Sequence, residues 1–423
     1  MDVEDMTLIS VDDHVLEPID VFVDRVPRRY ADDAPRVVTD DDGRQRWVYQ
    51  GKPLAFVGDN AAIGKPREEL TTDPATYAEM RGGCWDVHER VRDMDANGVV
   101  AAMCFPTFAR FAGQVFTEAS DKDVSLAAVR AYNDWHLDAW AGPYPGRFIP
   151  LCILPLWDAE RAAAEVRRVA AKGCHAVTFS ENPAALGLPS LHGDYWHPLF
   201  AACVEHAVVP CIHLGSSSKV PVSSSEAPVC TNLTFTQMTS MMAATDWAHS
   251  PTFRAFPTLK VALSEGGIGW IPYLYDRWGH IHRWHGPWAG ADMSGPSPVE
   301  IFHDHFFVCF IDDPLGVELR DRIGVHRIMW ESDFPHPDST WPESPEWLAK
   351  NLSGCSDSDV AAITHQNAMR AFQFDPFAHA DPARCTVGAL RAAAAGRDLT
   401  TPGPHTGISK TSVLFKNRVA GSS

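Results

Sequence analysis

The chain has 423 residues, of which 45% are hydrophobic, and its formal net charge is -18 with histidine neutral. A chain of this length and composition can bury a large core, as one large domain or two smaller ones, and its negative charge disfavours nucleic acid as a partner. No apolar run reaches the roughly 18 residues that a membrane-spanning helix needs, and the first residues are acidic where a signal peptide is basic. We therefore expect a cytoplasmic protein without a membrane partner.

An apolar run near the start of the chain ends in a cluster of acidic and imidazole side chains. Residues 8–11 indicate a short buried strand, and Asp12, His14 and Glu17 follow it. Because side chains alternate between the two faces of a strand, Asp12 and His14 point the same way, as two ligands of one ion would. Glu17 lies just beyond the strand and could fold back over it. Taken alone, the stretch could equally be a solvated turn with a chance histidine.

The rest of the chain alternates regularly between apolar runs and helical stretches. Residues 19–82 are the exception, because they show little periodicity and are too many for a simple loop, so we expect an insertion beside the mouth of a site. From residue 86 onward, short β-rich runs are separated mostly by predicted helices. Counting the first strand, the runs are eight: 8–11, 99–105, 148–154, 176–179, 208–214, 259–264, 306–310 and 327–330.

Eight such alternations predict an α/β fold, a (β/α)8 TIM barrel, whose parallel strands are buried on both faces and so appear as continuous apolar runs. A doubly wound sheet is the alternative, but it would place a glycine-rich phosphate turn after an early strand, and the chain has none. We expect the barrel to span residues 1–376 and a C-terminal extension to span 377–423. The extension is predicted to pack on a neighbouring chain or to be partly disordered.

The predicted strands end in residues that can bind a metal ion. In barrels of this kind the catalytic groups lie at the carboxyl ends of the strands. Four of the eight strands supply such groups there, namely Asp12, His14 and Glu17 after the first, His213 at the fifth, Glu265 after the sixth, and Asp333 and His336 after the eighth. Any one of them could be a helix cap or a surface group, but four together at one rim indicate a metal site.

These strand ends resemble those of the amidohydrolase superfamily, in particular its amidohydrolase-2 branch, which includes the aminocarboxymuconate-semialdehyde and resorcylate decarboxylases. The resemblance runs from residue 8 to about residue 374. It implies that Asp12 and His14 stand at the family's first-strand H-x-H pair, His213 at its fifth-strand metal histidine and Asp333 at its eighth-strand aspartate. The chain departs from the pattern at the sixth strand. The decarboxylases have a catalytic histidine there, before Gly-Gly, and this chain has Glu265.

This departure changes the charge expected at the site. Asp12, Glu17, Glu265 and Asp333 would together bring four negative charges, which one divalent cation could not offset in a pocket of low dielectric. Carboxylates with imidazoles and no thiolate suit iron, manganese or zinc. The sequence therefore predicts two Fe2+ ions per chain, with His285, from a cluster of three histidines, as a further ligand. One Zn2+ or Mn2+ ion is the alternative.

Two segments, 264–270 and 332–336, also resemble those of the non-haem diiron monooxygenases of platensimycin and platencin diterpenoid biosynthesis. This resemblance implies a role in antibiotic biosynthesis. This resemblance implies an oxidoreductase that uses dioxygen and a reductant to hydroxylate a bulky apolar, terpenoid-like substrate. The substrate would be linked to CoA, whose phosphates could meet Arg81, Arg110 and Lys219.

In this interpretation Glu265, Asp333 and His336 are the catalytic residues. A mononuclear zinc or manganese hydrolase or decarboxylase is the main alternative, in which the metal activates water or polarises a carboxylate while Asp333 moves protons. A barrel without catalytic activity, used for binding, is a third hypothesis, and the intact set of metal ligands argues against it. Barrels of this branch are commonly dimers, so a homodimer is expected.

Overall fold

Parallel strands form the centre of the molecule. The computed structural model describes residues 1–65, 74–290 and 292–399. In chain order its strands are β1 (Leu8–Val15), β2 (Arg36–Thr39), β3 (Gln45–Tyr49), β4 (Lys52–Phe56), β5 (Val99–Pro106), β6 (Phe148–Ile149), β7 (Leu151–Cys152), β8 (Ala176–Phe179), β9 (Val209–His213), β10 (Val261–Ser264), β11 (Phe306–Phe310) and β12 (Ile328–Trp330).

Helices surround these strands and connect them. They are α1 (Val87–Asn97), α2 (Gln114–Glu118), α3 (Lys122–Trp135), α4 (Ala159–Ala170), α5 (His197–His206), α6 (Val229–His249), α7 (Thr252–Ala255), α8 (Ile271–Trp284), α9 (Pro298–His305), α10 (Pro314–Glu318), α11 (Arg320–Ile323), α12 (Ser344–Asn351), α13 (Asp357–Ala361), α14 (Asn367–Ala371) and α15 (Val387–Ala393). None of these helices is both long enough and apolar enough to cross a membrane.

The parallel strands close into a barrel. The order of hydrogen-bonded strands is β1-β5-β6 in one sheet and β7-β8-β9-β10-β11-β12 in the other, and β6 and β7 are joined through Pro150, which has no N–H to donate. On the far side, the Asp333 N–H donates to Asp12 O at 2.8 Å and the His14 N–H donates to Phe334 O at 2.6 Å. These bonds connect the end of β12 to β1. The barrel prediction is thus confirmed, and all eight predicted strands are present.

Capping residues mark the turns of the chain between helix and strand, and the strand after α1 shows this. Helix α1, for example, starts at Asp86, whose carboxylate accepts hydrogen bonds from His88 N and Glu89 N, and it ends at Gly98 with a φ of 74°. The chain then enters β5, all eight residues of which are buried. Strands buried on both faces need continuous apolar runs, and that is the pattern the sequence shows.

The segment after β1 forms a small antiparallel sheet, β2-β3-β4. Its Trp47 ring stacks on Phe108, in the loop after β5, with the ring centroids 4.3 Å apart. Further along, the Ala62 N–H donates to Pro335 O at 2.9 Å, in the loop after β12. The described part of the predicted insertion therefore lies over the carboxyl end of the barrel. Residues 66–73 of the predicted insertion lie outside the described residues, and the domain boundaries at 376 and 377 stay a prediction.

The described part of the C-terminal extension packs on its own chain. The Val387 N–H donates to Met6 O at 2.8 Å, and Arg391 and Arg397 form ion pairs with Glu346 and Asp93. We predicted contact with a neighbouring chain or partial disorder instead. Residues 377–399 are ordered on their own chain, where Val387 is fully buried, and the predicted contact with a neighbouring chain stays a prediction. Residues 400–423 lie outside the described part of the chain.

Candidate metal centre

Six predicted site residues meet at the carboxyl end of the barrel. Strand β1 carries Asp12 and His14 and strand β9 ends at His213, while Glu265 follows β10 and both Asp333 and His336 follow β12. The side chains of Asp12, His14, His213 and Asp333 are fully buried. Glu265 is the most accessible member, with 12% of its side chain exposed. Adjacent parallel strands deliver these groups to one place because their carboxyl ends share one rim.

The polar atoms of these residues lie very close together. Nε2 of His14 is 3.2 Å from Asp333 Oδ1 and 3.5 Å from Asp12 Oδ1. Nε2 of His213 is 3.3 Å from that of His14, 3.5 Å from Asp12 Oδ2 and 2.9 Å from Glu265 Oε2. Two overlapping groups have the composition and spacing to hold a metal ion: His14, Glu265, Asp333 and His336 in one, and Asp12, His14 and His213 in the other, with the ligand atoms of each group within 4.8 Å of one another.

The buried carboxylates lack the partners that a protein interior normally provides. None of the four oxygens of Asp12 and Asp333 takes part in a hydrogen bond within the described residues. Leaving such atoms unpaired is costly, whereas a cation would satisfy them. Burial, together with the nearby carboxylates, raises the pKa of Asp12 and Asp333 well above the ordinary range. The residues present therefore fit a bound divalent metal ion.

The histidine rings are oriented for coordination. His213 Nδ1 lies 2.6 Å from Leu214 O. Because a carbonyl oxygen only accepts hydrogen bonds, Nδ1 carries the proton and Nε2 keeps its lone pair, which is directed into the cluster. The His14 ring stacks on His336 at 3.7 Å, and the His213 ring stacks on Phe111 at 3.9 Å. Burial lowers the pKa of His14 and His336, to about 4 for His336, so both rings are neutral, as metal ligands must be.

Backbone strain marks two of the site residues. Glu265 and Asp333 have φ values of 59° and 56°, in the left-handed region that non-glycine residues rarely adopt. Each is held by a buried acceptor: the Glu265 N–H donates to Glu331 Oε2 at 3.1 Å, and the Asp333 N–H donates to Asp12 O. The strain turns each side chain from its strand end toward the centre of the rim.

Glu331 is a site residue that the sequence analysis missed. It is fully buried, its Oε2 also lies 2.7 Å from Cys309 Sγ, and burial raises its pKa to about 8. The signal was its position, since it follows strand β12 directly in the segment that contains Asp333. Arg90 was also missed. Its guanidinium is fully buried and donates to His14 O at 2.5 Å, so it supports the backbone of β1 at the site. No local pattern in α1 indicates this contact.

The structure does not bring Glu17 or His285 to the cluster, and neither belongs to a group that could hold a metal ion among the described residues. Glu17 accepts hydrogen bonds from Phe108 N at 2.7 Å and Ala109 N at 3.3 Å, so it braces the loop after β5. His285 follows the far end of α8 and contacts Trp288, with their ring centroids 5.3 Å apart. Their predicted roles as ligands are therefore corrected on geometric grounds.

Two of the three cations expected to meet CoA phosphates are engaged elsewhere. Arg81 forms a buried ion pair with Asp93 at 2.7 Å, and Arg110 pairs with Glu118 at 3.2 Å. Lys219 lines a separate cavity beside the barrel.

A family model for the amidohydrolases matches residues 31–374. The chain belongs to the amidohydrolase family. The resemblance inferred from the strand ends is thus confirmed at the level of the amidohydrolase-2 branch.

Similar proteins include decarboxylases and a further amidohydrolase. A gamma-resorcylate decarboxylase from Rhizobium radiobacter is 23% identical over 315 residues, which cover 71% of this chain and 91% of that protein. An amidohydrolase structure from Mycobacterium avium subsp. paratuberculosis K-10 has a TM-score of 0.70 and 22% identity, covering 86% of this chain and 99% of the other. A dihydroxybenzoic acid decarboxylase from Polaromonas sp. JS666, with bound manganese and the inhibitor 2-nitroresorcinol, has a TM-score of 0.58 and 18% identity, covering 89% and 98%.

These relatives overturn the predicted activity. Those with a stated activity are decarboxylases rather than oxidoreductases, so the prediction of a diiron monooxygenase in antibiotic biosynthesis is wrong for this amidohydrolase. The alternative, a mononuclear hydrolase or decarboxylase, agrees better with them. The expected CoA link, dioxygen, reductant and homodimer have no support among them.

Proposed function

We propose that this amidohydrolase is a metal-dependent decarboxylase of a small hydroxylated aromatic acid and that it uses a single divalent ion such as Mn2+. The observation that carries the proposal is the convergence of two buried carboxylates and two imidazoles on one point, where none of the four carboxylate oxygens accepts a well-aligned hydrogen bond. The decarboxylase from Rhizobium radiobacter and the manganese-bound decarboxylase from Polaromonas support the reaction class and the metal.

The charges at the site are compatible with one ion. Our prediction of two iron ions assumed four ionised carboxylates, including Glu17. Glu17 is bound to backbone amides of the loop after β5 and belongs to neither candidate metal-binding group, so it adds no charge to the cluster. One dication held by Asp12, His14, His213 and Asp333 balances such a site without a second.

A metal ion bound at this position supplies a Lewis acid that can bind the carboxylate or the phenolic oxygen of the substrate. Asp333 Oδ1 and His336 Nδ1 are 2.9 Å apart, close enough to exchange a proton when the side chains align. This pair would deliver a proton to the ring carbon as its bond to the carboxylate breaks and CO2 leaves. The stacking of His14 on His336 and of His213 on Phe111 fixes the side chains around the reacting atoms, and burial excludes bulk water.

A second candidate function rests on Glu265. The decarboxylases that this chain resembles have a catalytic histidine at this position, and a carboxylate cannot supply a proton in the same way. Glu265 Oε2 is 2.9 Å from His213 Nε2, and Glu265 is the most accessible carboxylate of the cluster. A partly accessible carboxylate beside a metal can act as a general base toward water, which is the chemistry of a hydrolase.

Anaerobic assays distinguish the two functions. The manganese-loaded protein is incubated under argon with dihydroxybenzoates and carboxyvanillates, and CO2 release is followed beside the hydrolysis of aryl esters and amides. The proposal predicts CO2 release from at least one acid, without dioxygen, and its loss in His213→Ala. Hydrolysis without CO2 release would support the hydrolase, and no turnover of any of these compounds would contradict both.

A further inference from the structure

A cavity of about 930 Å³ lies beside the metal centre, and no residue of the two candidate metal-binding groups lines it. It opens between helices α6 and α8, with Glu181 from the loop after β8 and Ser217 from the loop after β9 at its inner end. Its walls are largely apolar, including Met241, Leu274 and Trp278. The volume is at the upper end of the range for sites that enclose a drug-sized organic molecule.

One oxygen of a buried carboxylate in the cavity wall lacks a hydrogen-bond donor. Glu181 is 3% exposed, and its Oε1 accepts hydrogen bonds from the Ser217 hydroxyl at 2.6 Å and from Ser217 N at 3.2 Å. Its Oε2 has no hydrogen-bond donor within the described residues. The Thr239 hydroxyl lies close to the Glu181 carboxylate and shares its proton with Thr236 O, which is 2.9 Å away. A buried acceptor of this kind is normally satisfied, so a ligand hydroxyl fits here.

Two cations at the same cavity are unpaired. Lys219 and Arg277 line it, and neither forms an ion pair with any residue that the structure describes. The acidic Asp246 in the wall already lies 2.7 Å from His192 Nε2. Both side chains are exposed, and in a chain with a net charge of -18 they form a local positive site that would attract an anion.

We propose that this cavity binds an amphipathic organic anion whose acid group is held by Lys219 and Arg277, whose apolar body lies along the cavity wall, and whose hydroxyl donates a hydrogen bond to Glu181. The site goes beyond the proposed reaction, because its residues contribute nothing to the metal centre and its ligand is larger than a single aromatic ring.

Helix α6 contacts both the cavity and the loop that carries Glu265. A Cβ atom placed on Gly266 would lie 2.4 Å from Ser240 Oγ, so α6 packs directly on the residue that follows Glu265. Thr239 and Met241, on either side of Ser240, line the cavity. A ligand in the cavity would therefore contact the same helix that packs on Gly266, the residue next to Glu265.

Binding is tested with ω-hydroxy fatty acids of increasing length, using titration calorimetry on the metal-free full-length protein. We expect saturable binding of one length class, with the matched diols and alcohols binding at least tenfold more weakly. Arg277→Gln and Lys219→Gln should each weaken binding of the acid about tenfold, whereas Arg283→Gln, an exposed cation on the same helix outside the cavity, should not change it. Glu181→Leu should abolish the preference for the hydroxy acid over the plain fatty acid.

Two results would overturn the proposal: no saturable binding of any chain length, or equal affinities in Arg277→Gln and Arg283→Gln. A third arm separates this site from the reaction. His213→Ala should lose CO2 release and keep the affinity for the fatty-acid probe, and a probe that no longer binds this variant would lie in the metal centre instead. Failure of the decarboxylation assay with intact probe binding would contradict the proposed function alone.

Discussion

Glu331 shows how a residue without direct contact with a metal ion can shape this site. Its carboxylate accepts the Glu265 N–H at 3.1 Å and thereby holds Glu265 in a left-handed conformation. Removing a group that orients a site residue typically costs 10- to 100-fold in activity or metal affinity. We expect Glu331→Ala to lower kcat about tenfold or more.

Glu331→Gln is the matched control, because its amide oxygen can still accept the Glu265 N–H. It should retain most of the activity, with circular dichroism and melting temperature confirming that both variants fold. Equal losses in the two variants would mean that charge or packing, and not the hydrogen bond to Glu265, is what matters.

Glu17 gives a prediction about pH. Burial raises its pKa from 4.5 to about 7 in the folded protein. The folded state therefore binds the proton more tightly than the unfolded state, so the stabilisation from this group is present below pH 4.5 and is lost as the pH rises toward 7. At about 1.4 kcal/mol per pH unit, the loss amounts to about 3 kcal/mol.

Glu17→Gln stays neutral at every pH and so lacks this dependence. Chemical denaturation of both proteins at several pH values between 4 and 8 should show the variant gaining stability relative to the wild type as the pH rises. The effects of other buried carboxyls cancel in this difference. A difference in unfolding free energy that is constant with pH would contradict the raised pKa of Glu17.

The positions of site residues at strand ends could be predicted from the sequence. The positions of residues farther from a strand end could not. Asp12, His14, His213 and Asp333 could be found because a strand end has a fixed place in a barrel. His285 could not, because α8 has 14 residues and carries the chain about 21 Å from the rim. Glu17 has the right residue type, but the chain turns after β1 and directs it to backbone amides of the loop after β5, a contact between distant segments that no local pattern indicates.

Among the secondary-structure elements, the barrel strands could be predicted from the sequence. The positions of the elements that pack on the outside of the barrel could not. Strands buried on both faces leave continuous apolar runs in the sequence, whereas the small sheet β2-β3-β4 is located by one ring contact between Trp47 and Phe108, far apart in the chain. The position of α15 depends in the same way on Val387, which contacts Gly98 closely enough to leave no room for a Cβ atom there.

Val387 gives a prediction about the C-terminal segment. Its side chain is fully buried between α15 and the end of α1. Val387→Ala removes two buried carbon atoms and leaves a small cavity, so it should lower the free energy of unfolding by about 2 kcal/mol. Ala392→Ser, at an exposed position of the same helix, should change it by less than about 0.5 kcal/mol. Denaturant unfolding measures both, and an unchanged stability in Val387→Ala would mean that this segment is not docked in solution.

For the molecule as a whole, the charge at the metal centre is the property that a count of acidic residues in the sequence predicts least well. Counting acidic residues near the strand ends suggested four negative charges and two ions. In the folded chain one of those carboxylates lies elsewhere and two others have raised pKa values, because burial penalises their charged forms. The fold was thus predictable from the order of strands, and so was the meeting of Asp12, His14, His213 and Asp333 at one rim, whereas the direction in which Glu17 points could be seen only in the folded chain.

The number of metal ions per chain tests the central claim most directly. Protein purified without chelator and reconstituted under argon with Mn2+ is analysed by elemental mass spectrometry, beside His213→Ala and a chelator-treated sample whose melting temperature is also recorded. We expect about one divalent ion per chain, little or none in His213→Ala, and a lower melting temperature after chelation, because the ion binds only the folded state. Two ions per chain, or a metal content that His213→Ala leaves unchanged, would contradict it.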